Sequence, residues 1–584
     1  MIRRLLPCIV AVTLSCSSST NQPGTGAGGT TGGGGTNGQG GNGIGGSTGS
    51  GGSNGIGGSN PQAGAGGISG GAPGGGASGM GAGGAAGAGG TVVVNSVCGK
   101  LLPQQTDESV LQRGKNSQRT AHFVEPSLTI PAVKTKFGPD TAFNAAAKFN
   151  GNLEGVPLFV AGSAPGKGMY VVASHGGGHS LVTALDETTG ATLWSQDMGA
   201  SGNGVRSTPV IDAASGTIYT AFDATTGGNH FEIHALSIAN KGAEVAGWPV
   251  NPASITSNTG ASFGSFDIGK MIQRGALSLV NGVLYVPFGG VYGDGPPYKG
   301  FVVAINVQTP ATKGAWSASG DRSGLWNGGG LASDGTSMYA TTSNGSDQTH
   351  MDSQEVVRIT GMGTSTHASK DVFFPSSWKT WDGQDNDFGA SSPQVLQFSG
   401  SCQPLVVAPS KPGHLFFLDP ANLGGADGST PLRELVLATN AKPGGEYKVF
   451  YAAPTAYISA SGVHVALEAR VDAACPTPGG DQLVSVKLDM STTPATPKVA
   501  WCVPVQGGDD RHSPISTSTD GASNAIVWFV YNSGLFAYDG DAGGTELFKS
   551  TPCGNVQKQT SPIAADGHVV VGADGKLCSY SVQP

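Results

Sequence analysis

The 584-residue sequence predicts an all-β fold: an eight-bladed β-propeller of four-stranded antiparallel blades, its ring closed by an N-terminal strand and preceded by a disordered Gly-rich stalk. Three observations carry this expectation. From about residue 156 onward, short apolar strands alternate with Gly, Asn, Asp and Pro turns, and no long helical period appears. The strands recur in groups of four, spaced by ~50–70 residues, which is blade size. Before them lies a long segment too polar and too glycine-rich to pack.

One group shows the unit. Ser207-Thr208-Pro209-Val210-Ile211-Asp212 is followed by a Gly turn and by Thr217-Ile218-Tyr219-Thr220-Ala221-Phe222; a third strand follows at Ile233-His234-Ala235-Leu236, and a fourth ends near Trp248. Equivalent starts fall near Val156, Val205, Gly275, Leu325, Phe388, Phe450, Ser513 and Ser561. The last repeat, ending at Tyr580-Ser581-Val582, is too short for four strands. A strand from residues 119 to 155 is expected to complete it, because an open ring would leave long unpaired edges.

The connection between third and fourth strands is the most specific local pattern. Residues Ala184 to Trp194 fit A-x-D-x-x-T-G-x-x-x-W. Asp186 can accept turn N–H groups, Gly190 can adopt positive φ, and Trp194 can fill the gap between blades. Trp248, Trp316 and Trp501 occupy corresponding places in weaker copies, so packing explains them before ligand stacking does.

The N-terminal end gives an address. Arg3 and Arg4 precede a mostly apolar run from Leu5 to Leu14, and Thr13-Leu14-Ser15-Cys16 resembles a lipobox. Residues 1–15 are read as a lipoprotein signal peptide and Cys16 as the lipidated residue, with ordinary secretion as the alternative. Residues 16–97 form the linker, with 35 Gly between positions 21 and 90 and no charge between Arg4 and Lys100. A chain of that kind spans ~45 Å, from ~5–6 Å × √n. Residues 98–155 are the lead-in and ring-closing segment, and 156–584 the propeller. The expected location is the cell envelope, lipid-anchored on its periplasmic or outer side.

Only 12% of residues are charged and the formal net charge is −8, which leaves no broad basic surface for nucleic acid. Setting aside Cys8 and Cys16, six cysteines remain, an even number suited to disulfides in an exported chain. Fifteen pairings are possible among six. Proximity within a repeat favours Cys475–Cys502 and Cys553–Cys578, which leaves Cys98 with Cys402.

The segment Ala184 to Trp194 resembles the tryptophan-docking motif of the quinoprotein alcohol dehydrogenase-like eight-bladed propellers. Val110-Leu111-Gln112-Arg113-Gly114-Lys115-Asn116-Ser117-Gln118-Arg119-Thr120 resembles the lead-in of exported bacterial PQQ-like repeat proteins, as do Gly151 to Val160, Asn281 to Val286 and Gly413 to Asp419. The resemblance covers roughly residues 110 to 584. It implies the fold specifically and function weakly, since the fold hosts enzymes and assembly scaffolds alike. For the enzymes it implies pyrroloquinoline quinone (PQQ) held on the axis with Ca²⁺, a catalytic Asp, a Trp floor and a ring made by two adjacent cysteines. No two cysteines are adjacent here. Asp385-Asn386-Asp387 resembles the catalytic Asp region, so Asp385 and Asp387 are candidate catalytic residues.

Loops entering innermost strands face the channel at one mouth. They carry Asn203 and Arg206, Lys270 and Arg274, Trp326 and Asn327, Asp385 and Asp387, Tyr451, Arg511 and His512, and Lys558 with Gln559. Five basic groups on one mouth can focus an anion. Arg206, Arg274, Trp326, Asn327, Arg511 and Lys558 are therefore the candidate cofactor-binding residues, and His512 a candidate general base. The blander reading pairs these charges with Asp385, Asp387, Asp509 and Asp510. His175 and His179 stand four apart, but on a Gly-rich loop rather than a helix, so no metal site is expected there.

Two functions follow from these readings. The first is a monomeric, envelope-anchored binding or scaffold propeller that engages a protein, a glycan or a small acid. The second is a PQQ-dependent dehydrogenase acting on alcohols or sugars with Ca²⁺. A polysaccharide hydrolase or lyase is a third, and would need a carboxylate pair at glycosidase spacing.

Overall fold

Eight sheets follow one another along the chain, each antiparallel within its blade. The computed structural model describes residues 98–291, 295–346, 349–363, 368, 370–425, 431–438, 452–471, 475, 480–505 and 512–584. The signal segment, the stalk and Cys16 lie outside the described residues, as do Tyr451, Asp509, Asp510 and Arg511.

Blade one comprises Leu158–Val160, Met169–Gly176, His179–Asp186 and Thr192–Ala200. Blades two to eight begin with Val210–Asp212, Ser278–Val280, Ala332–Ser333, Gln394–Leu396, Thr455–Ser459, Ile515–Ser518 and Ile563–Ala565. Each expected repeat start precedes its innermost strand, from two residues (Val156 against Leu158) to seven (Leu325 against Ala332). Middle strands are apolar without alternation, as in Ile526–Tyr531, because neighbouring blades bury both of their faces.

Blade eight supplies three strands of its own, and Phe137–Pro139 adds the fourth by pairing with Lys576–Val582. This is the expected N-terminal closure. The residue that follows, Asp140, clasps the seam by accepting from Ser579, Ser581 and His568.

Tryptophan docking also follows the expectation. Asp186 accepts from the Thr188 and Thr189 amides at 3.1 and 2.8 Å, and Gly190 has φ +70°. A Cβ on Gly242 of blade two would stand 2.8 Å from the Trp194 ring, so only glycine admits that indole. Trp501 of blade six donates Nε1–H to the Gly540 carbonyl of blade seven at 3.0 Å, and Tyr457 donates to the same oxygen.

The lead-in has a role that its sequence pattern did not announce: residues 110–125 fill the axis. Val110 pairs with Phe159, and the carbonyls of Leu111, Ser117, Gln118, Thr120 and Ala121 accept from Ile211, Ser333, Val395, Ala456 and Ser516. His122–Val124 then runs parallel to Ile515–Ser518 of blade seven. Inner strands turn a free edge towards the axis, and this segment satisfies the exposed donors. Three disulfides hold the ring: Cys98–Cys402, Cys475–Cys502 and Cys553–Cys578, the pairings expected from the sequence.

Candidate functional site

Small residues at the starts of the inner strands let the entry loops crowd the axis. A Cβ on Gly155 would stand 2.7 Å from the Ser207 carbonyl, and one on Gly329 would stand 2.1 Å from Ser392 Oγ. Gly328 enters blade four and Gln559 enters blade eight, opposite members of an eight-membered ring. A Cβ on Gly328 would nonetheless lie 2.9 Å from Gln559 Oε1 and 3.4 Å from Arg113 Nη1. The loops meet across the axis, with the lead-in beneath them.

Two guanidinium groups from the lead-in occupy this centre. Arg119 is 2% exposed and spends its donors on the carbonyls of Leu331 (2.8 Å), Leu277 (2.9 Å) and Arg113, and on Ser278 Oγ. Arg113 is 4% exposed and uses Nη2 on the Gln559 carbonyl and on Ser513 Oγ. Burial lowers the Arg113 pKa to about 10, and burial together with the neighbouring Arg113 lowers Arg119 to about 9. Both remain cations at neutral pH, and neither has an ion pair among the described residues. Beside them, Gln559 Oε1 and Thr560 Oγ1 are buried without a hydrogen-bond partner.

The mouth residues singled out from the sequence differ in burial and in partners. Arg206 is ion-paired with Glu154 at 3.3 Å, and Asn203 is tied to Asp223. Lys270 and Arg274 are half-buried, and Lys558 is exposed. Trp326 is half-buried, whereas Asn327 is buried with its whole amide engaged: Nδ2 donates to Thr341 Oγ1 and the Gly389 carbonyl, and Oδ1 accepts from Ser392 Oγ and the Gly330 amide. His512 is 1% exposed, its ring edge-on to Phe529. His175 and His179 sit on facing strands, with partners Ser201 and Asp197. Among the described residues no group of three His, Cys, Asp or Glu is arranged to hold a metal ion.

Asp385 and Asp387 lie together, but around a cation. Lys411 Nζ stands 3.0 Å from Asp385 Oδ2 and 3.3 Å from Asp387 Oδ2, with both Lys411 and Asp387 buried. Asn344 adds hydrogen bonds to each carboxylate. An ammonium group thus fills the position that Ca²⁺ would need between these two carboxylates. The disulfides also sit elsewhere, on Cys pairs at least 25 residues apart in sequence. Engaged by Lys411 and Asn344, the Asp385 and Asp387 carboxylates leave no open cradle between them for Ca²⁺.

A second titratable cluster lies at the ring seam. Burial, then a hydrogen bond with Asp566, raises Glu187 above the usual carboxyl range. Burial and Glu108 push Glu125 up to about 8. Glu187, Asp566 and the Asp140–His568 pair border a cavity of about 340 Å³. No sequence pattern marks a role for the axial arginines or for this cluster, since most of their partners lie more than 150 residues away.

A family model described as outer membrane protein assembly factor BamB matches residues 147–262. Among solved structures, the quinohemoprotein alcohol dehydrogenase of Comamonas testosteroni is similar at 16% identity and TM-score 0.55, covering 82% of each chain. The quinohemoprotein alcohol dehydrogenase ADHIIG of Pseudomonas putida HK5 is similar at 13% identity and TM-score 0.56, covering 81% of this chain and 80% of that one. No curated protein matches. At these identities the likeness is one of fold.

Proposed function

We propose that this PQQ-like repeat chain, which carries the eight-bladed fold of the quinohemoprotein alcohol dehydrogenases, uses it as a binding or scaffold module in the cell envelope. One observation carries the reading: Lys411 is ion-paired with both Asp385 and Asp387, the carboxylates that resemble the dehydrogenases' catalytic region. A fixed ammonium there stands between the two carboxylates, in the space an open cradle for a metal cation would need. The three disulfides agree with an oxidising compartment. The lipid on Cys16 and the Gly-rich stalk would hold the ring near a membrane while letting it sample partners.

A PQQ-dependent oxidoreductase acting on alcohols or sugars is the rival, and the likeness of fold is what favours it. Calorimetric titration of residues 98–584 with PQQ and CaCl₂ separates the two. The binding-module reading expects no saturable heat. Micromolar binding that is lost in Arg274→Ala, with dye reduction on adding an alcohol, would replace it by the rival. The anchor is checked by mass spectrometry of the exported chain, where a lipid adduct should disappear in Cys16→Ser.

A further inference from the structure

We propose that Arg113 and Gln559 form an axial binding site for a single oxoanion group, a carboxylate or a phosphate. The inference rests on the binding-module reading and names the ligand chemistry of the same ring.

Charge bookkeeping motivates it. Buried charges are ordinarily paired or richly hydrogen-bonded. Arg119 meets that condition through three carbonyls and a hydroxyl. Arg113 does not: its contacts are made by Nη2 alone, and Nη1 and Nε have no partner among the described residues. Each planar fork of a guanidinium includes Nη2, which is spent here, so Arg113 offers an oxoanion single charge-assisted N–H donors from Nη1 and Nε.

The neighbouring groups complete a cradle. Gln559 is 6% exposed, is held at φ +64°, and has an amide oxygen without a partner. Turning that amide over would present its NH₂ to an anion instead, and Thr560 Oγ1 is a further unused hydroxyl. Gly328 keeps the space beside Arg113 Nη1 and Gln559 Oε1 free of a side chain. Its φ is not in the left-handed region, so backbone conformation does not demand glycine there. Electrostatics adds to the same result. Arg113 lies close enough to Arg119 to disfavour its charge, and an anion between the loops relieves that repulsion.

The test uses the full chain, with sodium acetate and sodium phosphate compared with sodium chloride at equal ionic strength. Thermal unfolding and calorimetry should give a saturable response to acetate or phosphate that chloride does not match. The preferred anion identifies the source chemistry. Arg113→Gln should weaken that response at least tenfold. If this variant does not fold, Gly328→Ala serves instead, because its methyl enters the same space while every charge is kept. A response retained in both variants, or one lost in Arg206→Gln instead, overturns the site. So does the absence of any saturable response in the unaltered chain. That last outcome would leave the non-quinoprotein reading standing, because that reading depends on Lys411 and is tested with PQQ.

Discussion

The axis and the seam of this ring hold buried charge in opposite ways. At the axis, Arg113 and Arg119 are cations faced by carbonyls and hydroxyls. At the seam, Glu125, Glu187 and Asp566 are carboxyls crowded together, with Lys115 and His568 as the nearby cations. The difference follows from chemistry. A carboxyl in a dry, crowded place can keep a proton and become neutral, whereas a guanidinium stays charged and must be met by dipoles or by an anion. The seam can therefore settle its own charge. The axis depends on what surrounds it.

The largest effect should come from breaking the axis. Arg119→Ala orphans the carbonyls of Leu331, Leu277 and Arg113 and cuts the lead-in from blades three and four. Unsatisfied buried groups cost about 1–3 kcal/mol each, so a loss of about 3–5 kcal/mol is expected in denaturant unfolding. A loss below about 1 kcal/mol would mean that the lead-in is held by its strand-edge hydrogen bonds alone.

Next in size is Lys411→Ala, which leaves Asp387 buried beside Asp385 without its cation. Removing one member of a buried pair costs about 3–5 kcal/mol, reduced here because Asp385 is partly exposed. Added CaCl₂ should raise the melting temperature of this variant and not that of the unaltered chain. Equal shifts in both would show that Ca²⁺ acts elsewhere.

These two regions also mark how far the sequence could be read. Blade order, strand character, the Trp194 turn, closure at blade eight and the three disulfides rest on local patterns, and each was legible. The lead-in was not, because residues 110–125 have no strand period of their own and pair only with edges supplied by other repeats. Arg113 and Arg119 look like ordinary solvated charges until Leu277, Leu331, Ser513 and Gln559 are brought around them. The partner of Arg206 was hidden for a related reason. Glu154 lies 52 residues away, in the loop that enters the preceding blade. Lys411, between Asp385 and Asp387, likewise comes from a turn that the repeat pattern gives no reason to examine.

At the seam, Glu125→Gln should produce a smaller and pH-dependent gain. The unfolded carboxyl loses its proton near 4.5, while the folded one keeps it to about 8. Between those values the native state binds more protons, so stability falls as pH rises through that window. Glutamine keeps the hydrogen bond accepted from the Gly567 amide and carries no charge. The variant should match the unaltered chain near pH 4.5 and exceed it by about 2 kcal/mol at pH 8, after discounting for relaxation around the site. A constant difference across the range would place the ionisation on another group.

The smallest effect is expected from His568→Gln, which sharpens the contrast by testing the one seam cation that can titrate. Burial opposes its charge, but the hydrogen bond to Asp140 and that carboxylate's charge outweigh burial and raise His568 above its usual pKa. A raised folded pKa gives stability that is fully present below the unfolded value near 6.5 and is lost as pH rises through the folded value. Asp140 is the complement: burial would raise it, yet hydrogen bonds from His568, Ser579 and Ser581 bring it down to about 2. Its stabilisation is present above about 4 and fades towards pH 2. Because Ser579 and Ser581 remain and His568 is partly exposed, the loss in His568→Gln should be under about 1 kcal/mol at pH 5.5. It should disappear by pH 9, where the unaltered imidazole is neutral as well. A loss that persists unchanged at pH 9 would assign His568 a packing role in the seam rather than a charged one.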